Sequence, residues 1–329
     1  MFVPPSFAVA LLMVIISTLC WGSWANTYKG TKNYRFELFY WDYAIGIFLI
    51  SLILAFTMGS MGDPSTSFLA NIRSADRSNI GYALIGGVIF NAANLLLVAG
   101  IEMAGLAVAF PVGIGIALVV GVVLSFALQP KGSPILLGLG VLFALLAVVM
   151  DGKAYAALGS TGRAVTRKSI VVCVISGVLM GLFAPFVTRA LTTGNTLGPY
   201  SIAVFFTLGA LLSCFVINVY FMKRPLAGSA VQFADFFKAS GRDHLLGLVG
   251  GFIWGTGTVF NFVVAASFTG VAISYAIGQS APMVAALWGL FVWKEFAGSG
   301  GKATKYLALM FACYVLAIVL VARAYTTAS

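Results

Sequence analysis

The chain has 329 residues, of which 61% are hydrophobic and 9% charged, and its mean hydropathy is +1.03. No soluble core of this size needs so much apolar surface, so the composition excludes a water-soluble enzyme or binding domain and points to an integral membrane protein. The formal charge of +10 is spread over several short segments, which argues against a nucleic-acid-binding patch.

Apolar stretches of about 20 residues recur from end to end, the length a helix needs to cross a hydrocarbon layer of about 30 Å. The strict polar and apolar alternation of a membrane β-barrel is missing. The expected spans, in chain order, are residues 6–28, 40–60, 80–101, 105–128, 134–150, 169–190, 199–221, 244–267, 270–293 and 304–324. The first begins in MFVPPSFAVALLMVIISTLCWGSW, which lacks the basic start and cleavage site of a signal peptide. Ser17, Trp21 and Trp24 form one helical stripe on it. Trp21 is the weakest of these candidates, because tryptophan also anchors at the membrane interface.

The second span has Asp42 near its start, and the third carries Asn91 and Asn94 at i and i+3 and ends at Glu102. The fourth carries Phe110, Pro111, Gly113 and Gly115. On the eighth, Trp254, Thr258 and Asn261 share one face at i, i+4 and i+7. The ninth contains SYAIGQSAP (274–282), which sets Tyr275, Gln279, Ser280 and Pro282 in the middle of an apolar run. Proline leaves a carbonyl one turn earlier unpaired, and glycine admits close approach of a backbone or ligand. Buried polar residues at such places either join helices by hydrogen bonds or line a wet cavity.

Lysine and arginine prefer the cytoplasmic side of a membrane. Alternate loops on one side carry Lys29, Lys32 and Arg35; Lys153, Arg163, Arg167 and Lys168; Lys223, Arg224, Lys238 and Arg242; and Lys294, Lys302 and Lys305, which is 14 of the 19 basic residues. Both termini are therefore expected outside, with the 151–168 loop in the cytoplasm. The halves also resemble each other. ISTLCWGSWA, ending at Ala25, matches ISGVLMGLFA (175–184), and LIGGVIFNAANLLLVAG with GLAVAFPVGIG (84–115) matches LVGGFIWGTGTVFNFVVAA with GVAISYAIGQS (248–280), with a one-residue gap between the pieces. Five spans per half insert the two halves in opposite senses, the construction of secondary transporters with a site near the midplane. The expected fold is therefore an all-α polytopic membrane protein, ten transmembrane helices in two inverted five-helix repeats, 1–150 and 169–329, joined by the cytoplasmic loop 151–168.

Charge argues by absence. Glu37, Asp63, Asp76, Asp151, Asp235 and Asp243 are placed in loops, and Asp42, Glu102 and Glu295 at span ends. A site without a central carboxylate suits a neutral, planar, hydrogen-bonding solute rather than a cationic drug. Proton coupling falls to Asp42 or Glu102, each of which is equally explained as a solvated surface group. Cys20, Cys173, Cys214 and Cys313 lie in apolar runs with no CxxC pair, and His244 is the single histidine, so no disulfide framework, metal site, cofactor or catalytic set is indicated. The segment MDGKAYAALGSTGRAVTRKS (150–169) lacks the order required of a phosphate-cradling loop.

The segments LFYWDYAIG (38–46), GLAVAFPVGIGIALVVGVVLSF (105–126), CFVINVYF (214–221), GRDHLLGLVGGFIWGTG (241–257) and VAISYAIGQSAPMVAALWGLFVWKEF (271–296) together resemble the ureide permease family of the drug/metabolite transporter superfamily. The resemblance covers nearly the whole chain, and its most telling points are Asp42 with Tyr43, Gln279, Pro282, the LWG of 287–289 and Glu295. It implies a permease of the plasma (cytoplasmic) membrane, not an enzyme, that imports uncharged nitrogenous heterocycles and ureides such as allantoin, uracil, xanthine or uric acid, with protons, by alternating access. It also implies that the fifth and tenth spans stand outside the core. The central loop is shorter than in plant members of that family and lacks their nucleotide-binding-like motif. The sister sugar permeases, of rhamnose or glucose type, are the alternative, and multidrug efflux comes third. The expected substrate residues are Trp24, Asn91, Asn94, Phe110, Trp254, Thr258, Asn261, Tyr275, Gln279 and Ser280, and the expected partners are a small neutral solute, protons and the lipid bilayer.

Overall fold

The computed structural model describes residues 1–158, 165–297 and 300–326, and these form helices with no strand among them. In the first half they are α1 (Phe7–Ser23), α2 (Ala25–Lys29), α3 (Phe36–Phe56), α4 (Phe68–Ser74), α5 (Arg77–Ala104), α6 (Leu106–Ala109), α7 (Gly115–Leu128) and α8 (Pro134–Ala156). The second half holds α9 (Arg167–Thr192), α10 (Pro199–Cys214), α11 (Ile217–Lys223), α12 (Phe233–Phe236), α13 (Gly241–Val264), α14 (Gly270–Gly278), α15 (Ala281–Phe291) and α16 (Gly300–Thr326). Polar residues set several starts: Ser6, Ser133 and Ser240 accept from backbone N–H groups of α1, α8 and α13, while Thr166 and Ser169 form a reciprocal cap on α9.

Nine stretches of the described residues are long and apolar enough to cross a membrane, and one of them, Gly241–Phe291, is 51 residues long. A straight helix of that length would reach about 77 Å, more than twice a hydrocarbon core. The chain instead folds back at Gly270, whose φ of 72° is open to glycine and strained for other residues. The Asn261 amide accordingly reaches the Ser274 carbonyl at 3.0 Å, across a sequence gap of 13 that a straight helix would stretch to about 20 Å. The eighth and ninth expected spans are thus the two arms of one hairpin. Gly105, with a φ of 77°, makes the corresponding turn between α5 and α6.

The two turns lie at opposite ends of the bundle. At one end the Met1 ammonium donates to the Met61 carbonyl at 2.7 Å, the Asn195 N–H donates to Asp76, and Gly270 packs beside Gln129 and Lys131. At the other, Lys29 pairs with Glu295, the Lys32 N–H donates to Asp243 and Arg35 donates to the Ala227 carbonyl, with Glu102 on the wall of a cavity there. Glycines bring the helices between these ends into backbone contact. A methyl on Gly87 (α5) would strike the Phe206 carbonyl (α10), and one on Gly251 (α13) the Tyr43 carbonyl (α3). Gly22 (α1) meets the Ala281 carbonyl of α15 in the same way, and Gly181 (α9) that of Ala117 (α7). The fifth and tenth spans, α8 and α16, pack on each other, with Gly140 closing on Val321 and Ala317.

Two differences from the expected layout bear on function. The helix α8 continues to Ala156, beyond the expected limit at 150, so Asp151 is a helical residue, wholly buried, instead of a solvated loop acid. The expected break in the fourth span takes the form of a π-helical turn, Phe110–Ile114, whereas the ninth is interrupted at Gln279 and Ser280 between α14 and α15. Of the expected 151–168 loop, residues 159–164, with Arg163, lie outside the described residues.

Candidate functional site

The middle of the bundle is filled by aromatic rings from different helices. Trp254 of α13 stacks on Phe90 of α5 with centroids 4.4 Å apart and on Trp21 of α1 at 6.0 Å, and Tyr43 of α3 lies 6.3 Å away. Trp24 joins through Tyr43 at 4.8 Å, and Phe183 of α9 links Phe90 to Tyr275 of α14 by edge-on contacts. Two glycines make room for Trp21: a Cβ on Gly278 would sit 2.5 Å from the indole Cζ3, and one on Gly257 would sit 3.1 Å from Cδ1. The Trp21 Nε1 donates to the Thr258 hydroxyl at 3.1 Å, and that hydroxyl donates to the Trp254 carbonyl at 3.1 Å.

The polar residues divide into two groups. Asn91, Asn94, Asn261 and Tyr275 hold helices together. The Asn91 amide donates to Ser213 at 2.7 Å, Asn94 to the Tyr40 hydroxyl at 3.4 Å and Asn261 to the Ser274 carbonyl, while the Tyr275 hydroxyl donates to the Met180 carbonyl at 3.1 Å. The Ser17, Tyr43 and Ser280 hydroxyls are buried without a hydrogen-bond partner. The Gln279 side chain, 8% exposed at the helix break, makes no hydrogen bond to protein among the described residues. Unused hydroxyl and amide groups beside flat rings are the chemistry that holds a planar polar molecule, since a hydroxyl both donates and accepts while a ring face takes dispersion contact.

Of the expected set, Trp24, Trp254, Thr258 and Asn261 come together around Trp21 and Gly278, Tyr275 is linked to them through Phe183 and Phe90, and Gln279 and Ser280 follow Gly278 at the helix break. Asn91 turns toward α10 and Asn94 toward α3, and Phe110 lies in the π-helical turn, while other rings surround Trp254. Trp21, set lowest from the sequence, is at the centre. Phe90 and Phe183 carry no local signal, because a phenylalanine in an apolar run looks the same whether it faces lipid or a neighbouring ring, and Tyr43 entered only through the family resemblance.

Asp42 lies at one end of the bundle. Its Oδ2 accepts from the Tyr34 hydroxyl at 2.7 Å and contacts the His244 Nδ1 at 2.8 Å, and the two partners approach each other at 3.4 Å. Gly247 lets α13 close directly on the Asp42 side chain. Burial, the hydrogen bond to Asp42 and the nearby Asp42 and Asp243 carboxylates push the Tyr34 phenol far above its ordinary range. Tyr34 also lines a cavity of about 410 Å³ with Lys32, Asp235, Lys238 and Asp243, which places polar space next to this trio. Glu102 and Glu37 line a separate cavity of about 20 Å³, with Arg35 holding Glu37 at 2.6 and 3.1 Å. Sequence spacing did not reveal the partners of Asp42, since His244 arrives from the other half of the chain.

Long apolar helices that cross a bilayer, folded around an aromatic and polar centre remote from both ends, are the architecture of an α-helical membrane permease. The Ureide permease family model matches residues 39–164 and 163–324, and the chain belongs to that family. Ureide permease 4 of Arabidopsis thaliana is 21% identical over 395 aligned residues, 97% of each chain, and Ureide permease 1 of the same plant is 22% identical over 386, again 97% of each. A solved crystal structure of a protein shares the fold, with a TM-score of 0.63 at 17% identity over 96% of this chain and 99% of that one. The protein is therefore a membrane transporter and not an enzyme.

Proposed function

We propose that the chain carries small uncharged nitrogenous heterocycles or ureides, of the allantoin, uracil, xanthine and uric acid class, across the plasma (cytoplasmic) membrane by alternating access, in symport with protons. The main support is the pairing of the stacked rings around Trp21 with polar atoms that no described protein group takes up: the Ser17, Tyr43 and Ser280 hydroxyls and the Gln279 amide at the helix break that follows Gly278. Trp24, Trp254, Phe110 and Tyr275 supply ring faces along the path. Gln279 and Ser280 bond the solute directly, joined by Thr258, Asn261, Asn91 and Asn94 as their interhelical bonds exchange. Asp42 and Glu102 carry the coupled proton, with Tyr34 and His244 as the exchange partners of Asp42.

On the same proposal, residues 1–150 and 169–329 are two repeats inserted in opposite senses, with both termini outside and the 151–168 loop in the cytoplasm. Close contacts that come in exchanged pairs support it. Gly87 on Phe206 answers Gly251 on Tyr43, Gly22 on Ala281 answers Gly181 on Ala117, and Gly46 on Leu248 answers Gly209 on Leu84. The two glycine turns, at Gly105 and Gly270, share nearly one φ and sit at opposite ends. Such a pair of repeats puts its substrate site near the midplane, and Phe90 and Trp254 each stand about halfway along their helices.

Thermal unfolding of the purified protein with allantoin, uracil, xanthine, uric acid, glucose and rhamnose tests the substrate. A ligand of the folded state adds about 2.7 kcal/mol at a hundredfold excess over its dissociation constant. A heterocycle or ureide is expected to give the shift. A shift with sugars alone would move the assignment to a neutral sugar permease.

A further inference from the structure

Apart from the central cluster and Asp42, the fifth and tenth spans enclose an acid that the transport proposal does not use. Asp151 of α8 has no exposed surface, and neither carboxyl oxygen has a hydrogen-bond partner among the described residues. Across from it, Tyr314 of α16 is also wholly buried, with a hydroxyl that has no partner. The two helices run antiparallel in a clear register: the Ser133 N–H donates to the Ala324 carbonyl at 2.7 Å, Gly140 closes on Val321, and the Lys153 ammonium lies 5.8 Å from the Tyr306 ring centre. Side chains on a helix lean toward its N-terminus, so in this register Asp151 and Tyr314 lean toward one another. Tyr155 follows Asp151 one turn along the same helix.

Among the described residues the neighbouring groups leave its charge unanswered. Lys153 is turned to Tyr306, Glu295 approaches Tyr155 with a like charge, and Lys302 and Lys305 are exposed on α16. Tyr275 of α14 is committed to backbone carbonyls, and α6, α7, α15 and the Phe110–Ile114 turn carry no titratable side chain. An ionised carboxylate in dry surroundings without counter-ion or donor is among the most costly arrangements a fold can hold. A hard metal cation would need a shell of oxygens that one carboxyl and one hydroxyl do not complete, whereas a proton needs a single oxygen.

We propose that Asp151 is a proton-binding site of this chain, its carboxyl holding a proton in the dry space between α8 and α16 toward which the Tyr314 hydroxyl also leans. The proton binds to a carboxylate oxygen, so no further reactant is involved. Its release requires water to enter between the two helices, which ties proton exchange at Asp151 to their separation. Nothing here depends on the identity of the transported solute.

Infrared spectroscopy of the purified full-length protein near neutral pH reads the proton directly. The wild type is expected to show the C=O stretching band of a protonated carboxyl, which Asp151→Asn removes and Tyr314→Phe shifts in frequency. A protonated-carboxyl region that both substitutions leave unchanged would overturn the proposal. If Asp151→Asn does not fold, Tyr314→Phe alone decides, since a shifted band supports the pair and an unmoved one refutes it. Sodium-dependent thermal stabilisation that Asp151→Asn abolishes would also overturn it, by assigning the site to a metal cation.

Discussion

Trp21 packs on Gly278, the residue before Gln279, yet the two side chains are treated oppositely by the fold. The Trp21 indole is held on two sides, by Thr258 through its N–H and by Trp254 through its ring, whereas the Gln279 amide is left over by the protein. Removing a group with no internal partner costs the fold little, and removing a ligand contact costs about 1 to 1.5 kcal/mol, or roughly tenfold in affinity. Gln279→Ala is therefore expected to keep its membrane insertion and thermal stability while losing uptake by about tenfold or more. Uptake at the wild-type level would remove Gln279 from the site. Asn91→Ala has a different signature, because it removes the interhelical donor to Ser213, whose hydroxyl keeps only its bond to the Ala210 carbonyl of its own helix: thermal stability should fall by about 0.6 to 2 kcal/mol, and an unchanged melting temperature would show that this bond does not hold α5 to α10.

Between elements, the helices meet backbone to backbone at glycines, as expected in lipid, where packing rather than water exclusion holds helices together. Gly87→Ala and Gly251→Ala each drive a methyl into a carbonyl of the facing helix, and each should lower stability by about 1 to 3 kcal/mol. Gly81→Ala and Gly138→Ala, in the same helix types, meet nothing within 4 Å and should be neutral or gain up to about 1 kcal/mol from helix propensity. Equal melting temperatures across the four variants would contradict close packing at Gly87 and Gly251. The spans themselves were legible, because length and hydropathy mark them and because Gly270 and the Gln279 break are local chain signals. The stripe Trp254, Thr258 and Asn261 was legible too, since its spacing is helical. Side-chain partners were not: Trp21 looked like an interfacial anchor, and Asp151 looked solvated because a lone acid beside basic residues reads as loop when the end of α8 is placed six residues early. Whether an asparagine binds a solute or Ser213 depends on a helix more than a hundred positions away, which no spacing rule reaches.

At the scale of the whole molecule, charge and fold-back geometry bear on the same question of sidedness. The end of the bundle that holds Lys29, Lys32 and Arg35 also receives Ala227, Asp243 and Glu295 from the second half, while the first residue and the Tyr325 ring, stacked on Phe7 at 5.0 Å, lie at the other. The basic end therefore gathers the alternate loops predicted to be cytoplasmic, and it contains Asp42, His244 and the polar cavity beside Tyr34. With both termini outside, as proposed, a proton from the cytoplasmic side would meet that trio first, so in a symporter Asp42 would be the release point rather than the entry. Asp42→Asn keeps the size of the side chain but cannot exchange a proton, and it is expected to abolish uptake driven by an inward proton gradient while leaving solute-for-solute exchange in sealed vesicles intact. Loss of exchange as well would make Asp42 a structural brace for α3 and α13. A reporter fused after Ser329 fixes the orientation on which this depends: activity outside the cytoplasm is expected, and activity confined to the cytoplasm would turn the molecule over and make the Asp42 end the one that loads the proton.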